Sequence, residues 1–174
     1  PWDALSPEAK TLQARRMEIY AGAIDNMDDN IARVIDYLKG IAEYDNTVIL
    51  FVSDNGAAGF FGWSEGAAGA AQVARADNSL ENLGRDGSRM FYGPGWGSAG
   101  STPFSLFKRH PAEGGIRVPA IIKVPGAEHA GEISHTTLMV SDVAPTFLEL
   151  AGLDQPLGTY QGREVLRQTG KSFT

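Results

Sequence analysis

The order of elements legible in the sequence predicts an α/β fold with a largely parallel sheet flanked by helices. Three features carry that prediction: a long apolar stripe at helical spacing near the start, two short apolar runs with the composition of buried strands, and a capped helix behind the second run. In chain order they give helix, strand, long loop, strand, helix. The 174 residues, 43% hydrophobic and 21% charged, suffice for one ordinary domain with a substantial core, and one domain over 1–174 is expected.

The first element is "RRMEIYAGAIDNMDDNIARVIDYLKG", residues 15–40, in which Met17, Tyr20, Ile24, Met27, Ile31, Val34 and Leu38 recur at spacings of three and four. That period lines one face of a helix, and Gly40 supplies its stop. The stripe is expected to face the core, with Asp25, Asp28, Asp29 and Asp36 as its wetter side rather than a carboxylate site. After the connection "IAEYDN" comes Thr47 to Ser53, unbroken in apolar character from Val48 to Val52, which fits a strand covered on both faces. Residues 56–103 are rich in Gly, Ala, Ser and Asn and read as a long loop with short helical turns at most. Loops of that length inside compact domains are often functional. "VPAIIKVPG" supplies a second strand over Val118 to Val124. In "SDVAPTFLELAG", Ser141 or Asp142 can cap a helix whose first turn holds Pro145 and whose stop is Gly152.

Composition removes several function classes. Against 15 basic residues stand 21 acidic ones, a net charge of −6, which argues against a general nucleic-acid surface and against a polybasic membrane anchor. The chain has no Cys, so disulfides and thiolate metal sites are excluded and cysteine usage does not reveal its compartment. No stretch approaches the roughly 18 apolar residues that span a bilayer, and no leader pattern is visible. The chain opens on Pro1 rather than Met, so a longer parent is expected.

Two glycine patterns fail on context. Gly95, Gly97 and Gly100 in "GWGSAG" spell a dinucleotide-type pattern, but no apolar strand leads into it. "TGKS" at 169–172 ends like a phosphate loop, yet Val165 stands where the loop's first glycine belongs. The stretch "TVILFVSDNG" is more informative, because it runs from buried strand to polar turn within one residue. Ligands in open α/β sheets gather outside the carboxyl ends of strands, where Asp54 and Asn55 sit. Their carboxylate and amide oxygens are hard donors suited to Ca²⁺ or Mg²⁺, and Gly56 allows the sharp turn that points both at one ion. Asp-Asn-Gly is equally an ordinary turn sequence, and two oxygens do not close a metal site. A second cluster, "FKRHPAEGGIRVP" at 107–119, holds Lys108, a compact charge for an anionic oxygen, with Glu113 and Arg117 spaced to pair. His110 reads as a loop residue, and with His129 and His135 it makes no metal-ligand spacing.

Together, "MEIYAGAIDNMDDNIARVIDYLKG", "DNTVILFVSDNGA", "DNSLENLGRDGSRMFYGPGW", "TPFSLFKRHPAEGGIRVPAI" and "SDVAPTFLELAG" resemble the sulfatase family, in particular the large bacterial arylsulfatases. The resemblance covers nearly the whole chain, with separate motifs in the family's order. It implies a partial alkaline-phosphatase-like α/β domain and hydrolysis of small-molecule sulfate esters. It further implies a formylglycine nucleophile made from Cys or Ser in a Cys/Ser-x-Pro/Ala-x-Arg motif, beside a divalent cation, usually Ca²⁺ with Mg²⁺ as the alternative. By position, Asp54 and Asn55 match the family's paired metal ligands, and Lys108 matches the lysine that holds the sulfate and steadies the leaving oxygen. Glu113, Gly114, Gly115 and Arg117 match the scaffold of that lysine's loop.

The departures from the family pattern are informative too. Neither Cys nor a Ser-x-Pro/Ala-x-Arg stretch is present, since "SLFKR" and "SDVAP" do not fit. The nucleophile, its neighbouring Arg, two further aspartates and the family's catalytic His residues are therefore expected upstream of Pro1. "YQGREVLRQTGKSF" resembles the passage into the family's smaller C-terminal subdomain, and His110-Pro111-Ala112 replace a spacer in which many relatives carry Thr. By itself the chain is expected to be inactive and prone to self-association. Two other readings share these residues: a related phosphatase or phosphonate monoester hydrolase, and a non-catalytic binding or scaffold descendant.

Overall fold

A computed structural model describes residues 1–59, 67–155 and 157–174. They form two compact units, Pro1–Glu128 and His129–Thr174. In the first unit α1 runs from Pro7 to Gly40. It starts ten residues before the apolar stripe, which begins at Met17, because "SPE" is a complete start signal. Ser6 Oγ accepts from the Ala9 N–H at 3.2 Å, Pro7 needs no donor in the first turn, and Glu8 meets the positive helix end.

Only the first half of α1 is packed as its stripe predicts. Trp96 donates its indole N–H to Gln13 O at 3.0 Å, Arg15 reaches Leu83 O at 3.4 Å, and the Tyr20 ring stacks on Tyr92 at 4.8 Å. These contacts hold the segment 83–96 against the helix, with Leu83 buried. Farther along, the expectation of a core-facing stripe fails. Ile24, Met27 and Val34 are 40%, 39% and 60% exposed. Ile31 and Leu38 of the same stripe are half-buried, so the face is covered only in part, and periodicity reports amphipathicity without supplying the layer that covers it.

Beyond α1, Lys123 donates to Tyr44 O at 2.7 Å and Thr47 O at 3.2 Å, with its ammonium over the Tyr44 ring, and so fixes the entry into β1 (Ile49–Val52). The predicted long loop contains α2 (Ala67–Arg75) and α3 (Gly93–Gly100), the latter holding Gly95, Gly97 and Gly100. One helical turn, α4 (Glu113–Ile116), precedes β2 (Ala120–Lys123).

β1 and β2 pair antiparallel, from Ile49 against Lys123 to Val52 against Ala120. A parallel pairing does not occur among the described residues, so that part of the expected topology is not met. A connection as long as 53–119 permits either direction, since only a short one forces an antiparallel pair, and here the chain returns against its own direction. Nor is β1 covered on both faces, since Phe51 and Val52 are exposed, as is Ile121 opposite. The antiparallel register has one consequence for the site: it sets the carboxyl end of β1 beside the amino end of β2.

In the second unit a 3-10 turn (Val140–Asp142) leads into α5 (Val143–Leu150). Asp142 stands before the first helical residue and Pro145 lies in the first turn, as the sequence predicts, while Gly152 ends the helix at φ +68°. The Asp142 carboxylate does not cap α5. It accepts from Met139 N–H at 2.8 Å and Lys171 N–H at 2.9 Å, which docks the C-terminal strand of chain on the helix start. These two bonds hold its carboxyl below the ordinary aspartate range. A hairpin, β3 (Gly158–Tyr160) and β4 (Arg163–Val165), turns through Gln161 and Gly162, both at positive φ as a two-residue turn requires.

Candidate functional site

The turn after β1 carries Asp54, exposed, and Asn55, half-buried. Ser53 Oγ donates to Asn55 O at 2.8 Å, closing the turn. Asn55 donates through Nδ2 to Gly56 O at 3.1 Å, which orients the amide and leaves Oδ1 without a donor among the described residues.

Gly56 then touches the other cluster. Its N–H donates to Gly115 O at 3.0 Å, and a Cβ on Gly56 would fall inside the Gly114 carbonyl, 2.8 Å from the carbon. One residue on, Ala57 O accepts from Lys108 N–H at 3.0 Å. The two segments singled out from sequence are thus joined backbone to backbone, and the β1–β2 register explains why they meet.

The Lys108 loop is held from beneath. Phe107 is buried, with Gly59 so close that a Cβ there would lie 2.6 Å from the ring, and His110 packs at 5.2 Å against the Phe107 ring edge. Gly114 N–H donates to Ser105 O at 3.0 Å, and Ser101 Oγ donates to Gly114 O at 3.1 Å. A Cβ on Gly115 would collide with His110 O and lie 2.8 Å from Phe107 O, so only glycine lets α4 close on the loop. The loop itself is contorted: Leu106 and Arg109 hold φ of +65° and +80°, costly for residues with a Cβ. Glu113 and Arg117 form the expected ion pair at 3.2 Å, and the guanidinium lies over the Phe104 ring at 4.8 Å. Lys108 is exposed, and neither its ammonium nor the Asp54 carboxylate has a hydrogen-bonding or ionic partner among the described residues.

Asp54 and the free Asn55 oxygen suit a hard divalent cation by type, but supply two of the roughly six to eight oxygens that Ca²⁺ takes. Among the described residues, no group of three or more His, Cys, Asp or Glu is placed to hold a metal ion. No described helix is long and apolar enough to cross a membrane. Sequence reasoning missed Tyr92. Its ring stacks on Tyr20; burial, then Tyr20, push the phenol above its usual range, while the Ala58 backbone works against that. Nothing local in "RMFYGPGW" marks that contact.

Fold and site together define a mixed helix-and-sheet domain whose polar side chains collect at the carboxyl end of a strand. The chain belongs to the sulfatase family: the Sulfatase family model matches residues 3–153. Membership brings with it the alkaline-phosphatase-like α/β class. The chain is 46% identical over 173 residues to an uncharacterized sulfatase of Schizosaccharomyces pombe, covering 99% of this chain and 31% of that protein. It is 37% identical over 177 residues to an arylsulfatase of Klebsiella aerogenes, covering 99% and 37%. An N-acetylglucosamine-6-O-sulfatase of Bacteroides thetaiotaomicron is 32% identical over 159 residues, covering 90% and 21%. The chain therefore spans about a third of the length of the first two of these relatives.

Proposed function

We propose that these residues are part of one catalytic domain of a sulfuric ester hydrolase of the arylsulfatase type, acting on small-molecule sulfate esters. In it, Asp54 and Asn55 are metal ligands and Lys108 binds the sulfate and the leaving oxygen. The supporting observation is the direct junction of the two loops, Gly56 to Gly115 and Ala57 to Lys108, with the Asp54 carboxylate, the Asn55 Oδ1 and the Lys108 ammonium unpartnered among the described residues. β1 and β2 would belong to a larger, largely parallel sheet.

A divalent cation bound at Asp54 and Asn55, Ca²⁺ or Mg²⁺, would supply positive charge to polarise a sulfate oxygen. The Asn55 amide, held by Gly56 O, keeps Oδ1 available and so fixes one ligand before any ion arrives. Lys108 offers three N–H donors to anionic oxygens, and its charge offsets that developing on the ester oxygen as the bond to sulfur breaks. The backbone bond from Lys108 to Ala57 keeps lysine and carboxylate in one register, so both can face the same sulfate. The formylglycine nucleophile is not in this chain, which is therefore inactive alone.

Paired assays of the native protein that carries these residues, on 4-nitrophenyl sulfate and 4-nitrophenyl phosphate, test the reading. Sulfate turnover that Lys108→Ala lowers by about 10²- to 10³-fold, the cost of one such electrostatic donor, is expected. A preference for the phosphate ester, or an unaffected Lys108→Ala variant, overturns it, as does robust turnover by the pure 174-residue chain.

A further inference from the structure

A cavity of about 310 Å³ lies between α2 and the segment 88–91, lined by Gly69, Gln72, Val73, Ser88, Arg89, Met90 and Phe91. One wall is a helix face, since Gly69, Gln72 and Val73 are spaced to lie one turn apart on the same side of α2. The other is an extended segment that Asn78 fastens to that helix. Asn78 Oδ1 accepts from Arg89 N–H at 2.8 Å, while its Nδ2 reaches Val73 O at 3.5 Å. The two walls are therefore tied to one side chain.

The lining divides by chemistry. Val73, Met90 and Phe91 offer apolar and aromatic surface, whereas Gln72, Ser88 and Arg89 offer donors. The Arg89 guanidinium has no hydrogen-bonding or ionic partner among the described residues. A planar cation with five donors beside apolar surface suits a ring bearing an anionic oxygen group. The volume is at the lower end of small-molecule sites, enough for one ring.

A short run of neighbours links the cavity wall to the candidate site. Phe91 is followed by Tyr92, whose phenol the Ala58 backbone acts on, and Ala58 follows the Ala57 whose carbonyl accepts from Lys108. We propose, on the basis of the sulfuric ester hydrolase reading, that this cavity is a subsite for the alcohol part of the ester. Its ligand is a ring carrying a carboxylate or a second sulfate, with Arg89 on the anionic group and Phe91, Met90 and Val73 along the ring.

Calorimetric binding of 4-hydroxybenzoate and of phenol to the native protein that carries these residues tests this without turnover. Tighter binding of 4-hydroxybenzoate is expected. Loss of a charge-assisted contact predicts that Arg89→Ala weakens it by about 10- to 100-fold and removes the preference over phenol. Gln72→Glu, which adds a carboxylate to the same wall, should weaken the same probe while phenol binding holds. In turnover, the ratio of kcat/KM for 4-carboxyphenyl sulfate over phenyl sulfate should fall in both variants. No binding of 4-hydroxybenzoate, or binding that neither variant changes, overturns the subsite. If no sulfate ester is hydrolysed but Arg89→Ala still weakens 4-hydroxybenzoate, the enzymatic reading fails and the anion-binding cavity stands.

Discussion

Gly56→Ala should separate the two halves of the site. The added Cβ would collide with Gly114 O, lie 2.8 Å from Gly114 C and 3.1 Å from Gly115 Cα. All three are backbone atoms of a buried turn, so no side chain can swing aside. Restoring ordinary contact of about 3.4 Å or more requires the turn and α4 to part by roughly 1 Å, with overpacking of about 3 kcal/mol. In a native protein of its relatives' length that is a fall in Tm of roughly 3–5 °C. The same movement stretches the Gly56–Gly115 and Ala57–Lys108 bonds, and a misplacement of about 1 Å can cost about 10²-fold in turnover. Gly22→Ala is the matched control. Gly22 lies within α1 with nothing within 4 Å of an added Cβ, so alanine there should stabilise by about 0.5–1 kcal/mol. Thermal melts and steady-state hydrolysis of both variants decide the matter. If Gly56→Ala melts within about 2 °C of the parent and keeps turnover within about twofold, the close approach does not position the site.

Acid should loosen the second unit at Asp142. Its carboxyl is held below the ordinary range by Met139 and Lys171 N–H, so its contribution is present above the unfolded aspartate value. It is lost as pH falls through the lower folded value. Hydrogen exchange at the Lys171 amide should therefore speed up at the acid end of a titration beyond its intrinsic pH dependence, and Asp142→Asn should show that loosening at neutral pH; an amide equally protected in both would refute it. The exposed stretch of α1 should drive association of the 174-residue chain, and Ile24→Glu with Val34→Glu should shift its sedimentation toward monomer. An unchanged distribution would place the association elsewhere. If Asp54 is the ligand proposed above, Asp54→Ala should weaken Ca²⁺ activation of the native protein by at least about tenfold in the required concentration; activity indifferent to both chelator and Asp54 would remove the metal from this turn.

Local features were more legible in the sequence than architecture. Asp54, Asn55 and Lys108 were singled out by donor type and by their place in motifs that resemble the sulfatase family, since Asp-Asn-Gly alone is an ordinary turn, while the Glu113–Arg117 pair followed from spacing. The α5 boundaries followed from Pro145 and Gly152, whose backbone limits are local. What was not legible depends on contacts distant in sequence. The β1–β2 direction is set by how the excursion over 53–119 returns, and no residue in either strand encodes it. The exposure of Ile24 and Val34 is similar, because an apolar stripe states what must be covered and not whether a layer is there. Gly59 lies against the Phe107 ring, a contact that nothing in the sequence around either residue marks.

Backbone and side chains divide the work at this site. Between Asp54 and Lys108 the main chain is committed at Asn55 O, Gly56 N–H, Gly56 O, Ala57 O and Lys108 N–H, while the Asp54 carboxylate, the Asn55 Oδ1 and the Lys108 ammonium have no partner among the described residues. A protein selected only for stability would not hold Leu106 and Arg109 at positive φ around an uncommitted lysine, since each costs about 1–2 kcal/mol. Glycines could have stood at both positions at less strain, but they would have loosened the loop in its unfolded and folded states alike. The contorted loop instead keeps Phe107 buried and Lys108 exposed on consecutive residues, which directs the ammonium away from the packed ring. On the proposed reading that is pre-organisation of a charge, and a sulfate ester held between Lys108 and a cation at Asp54 would be an occupant whose chemistry uses both.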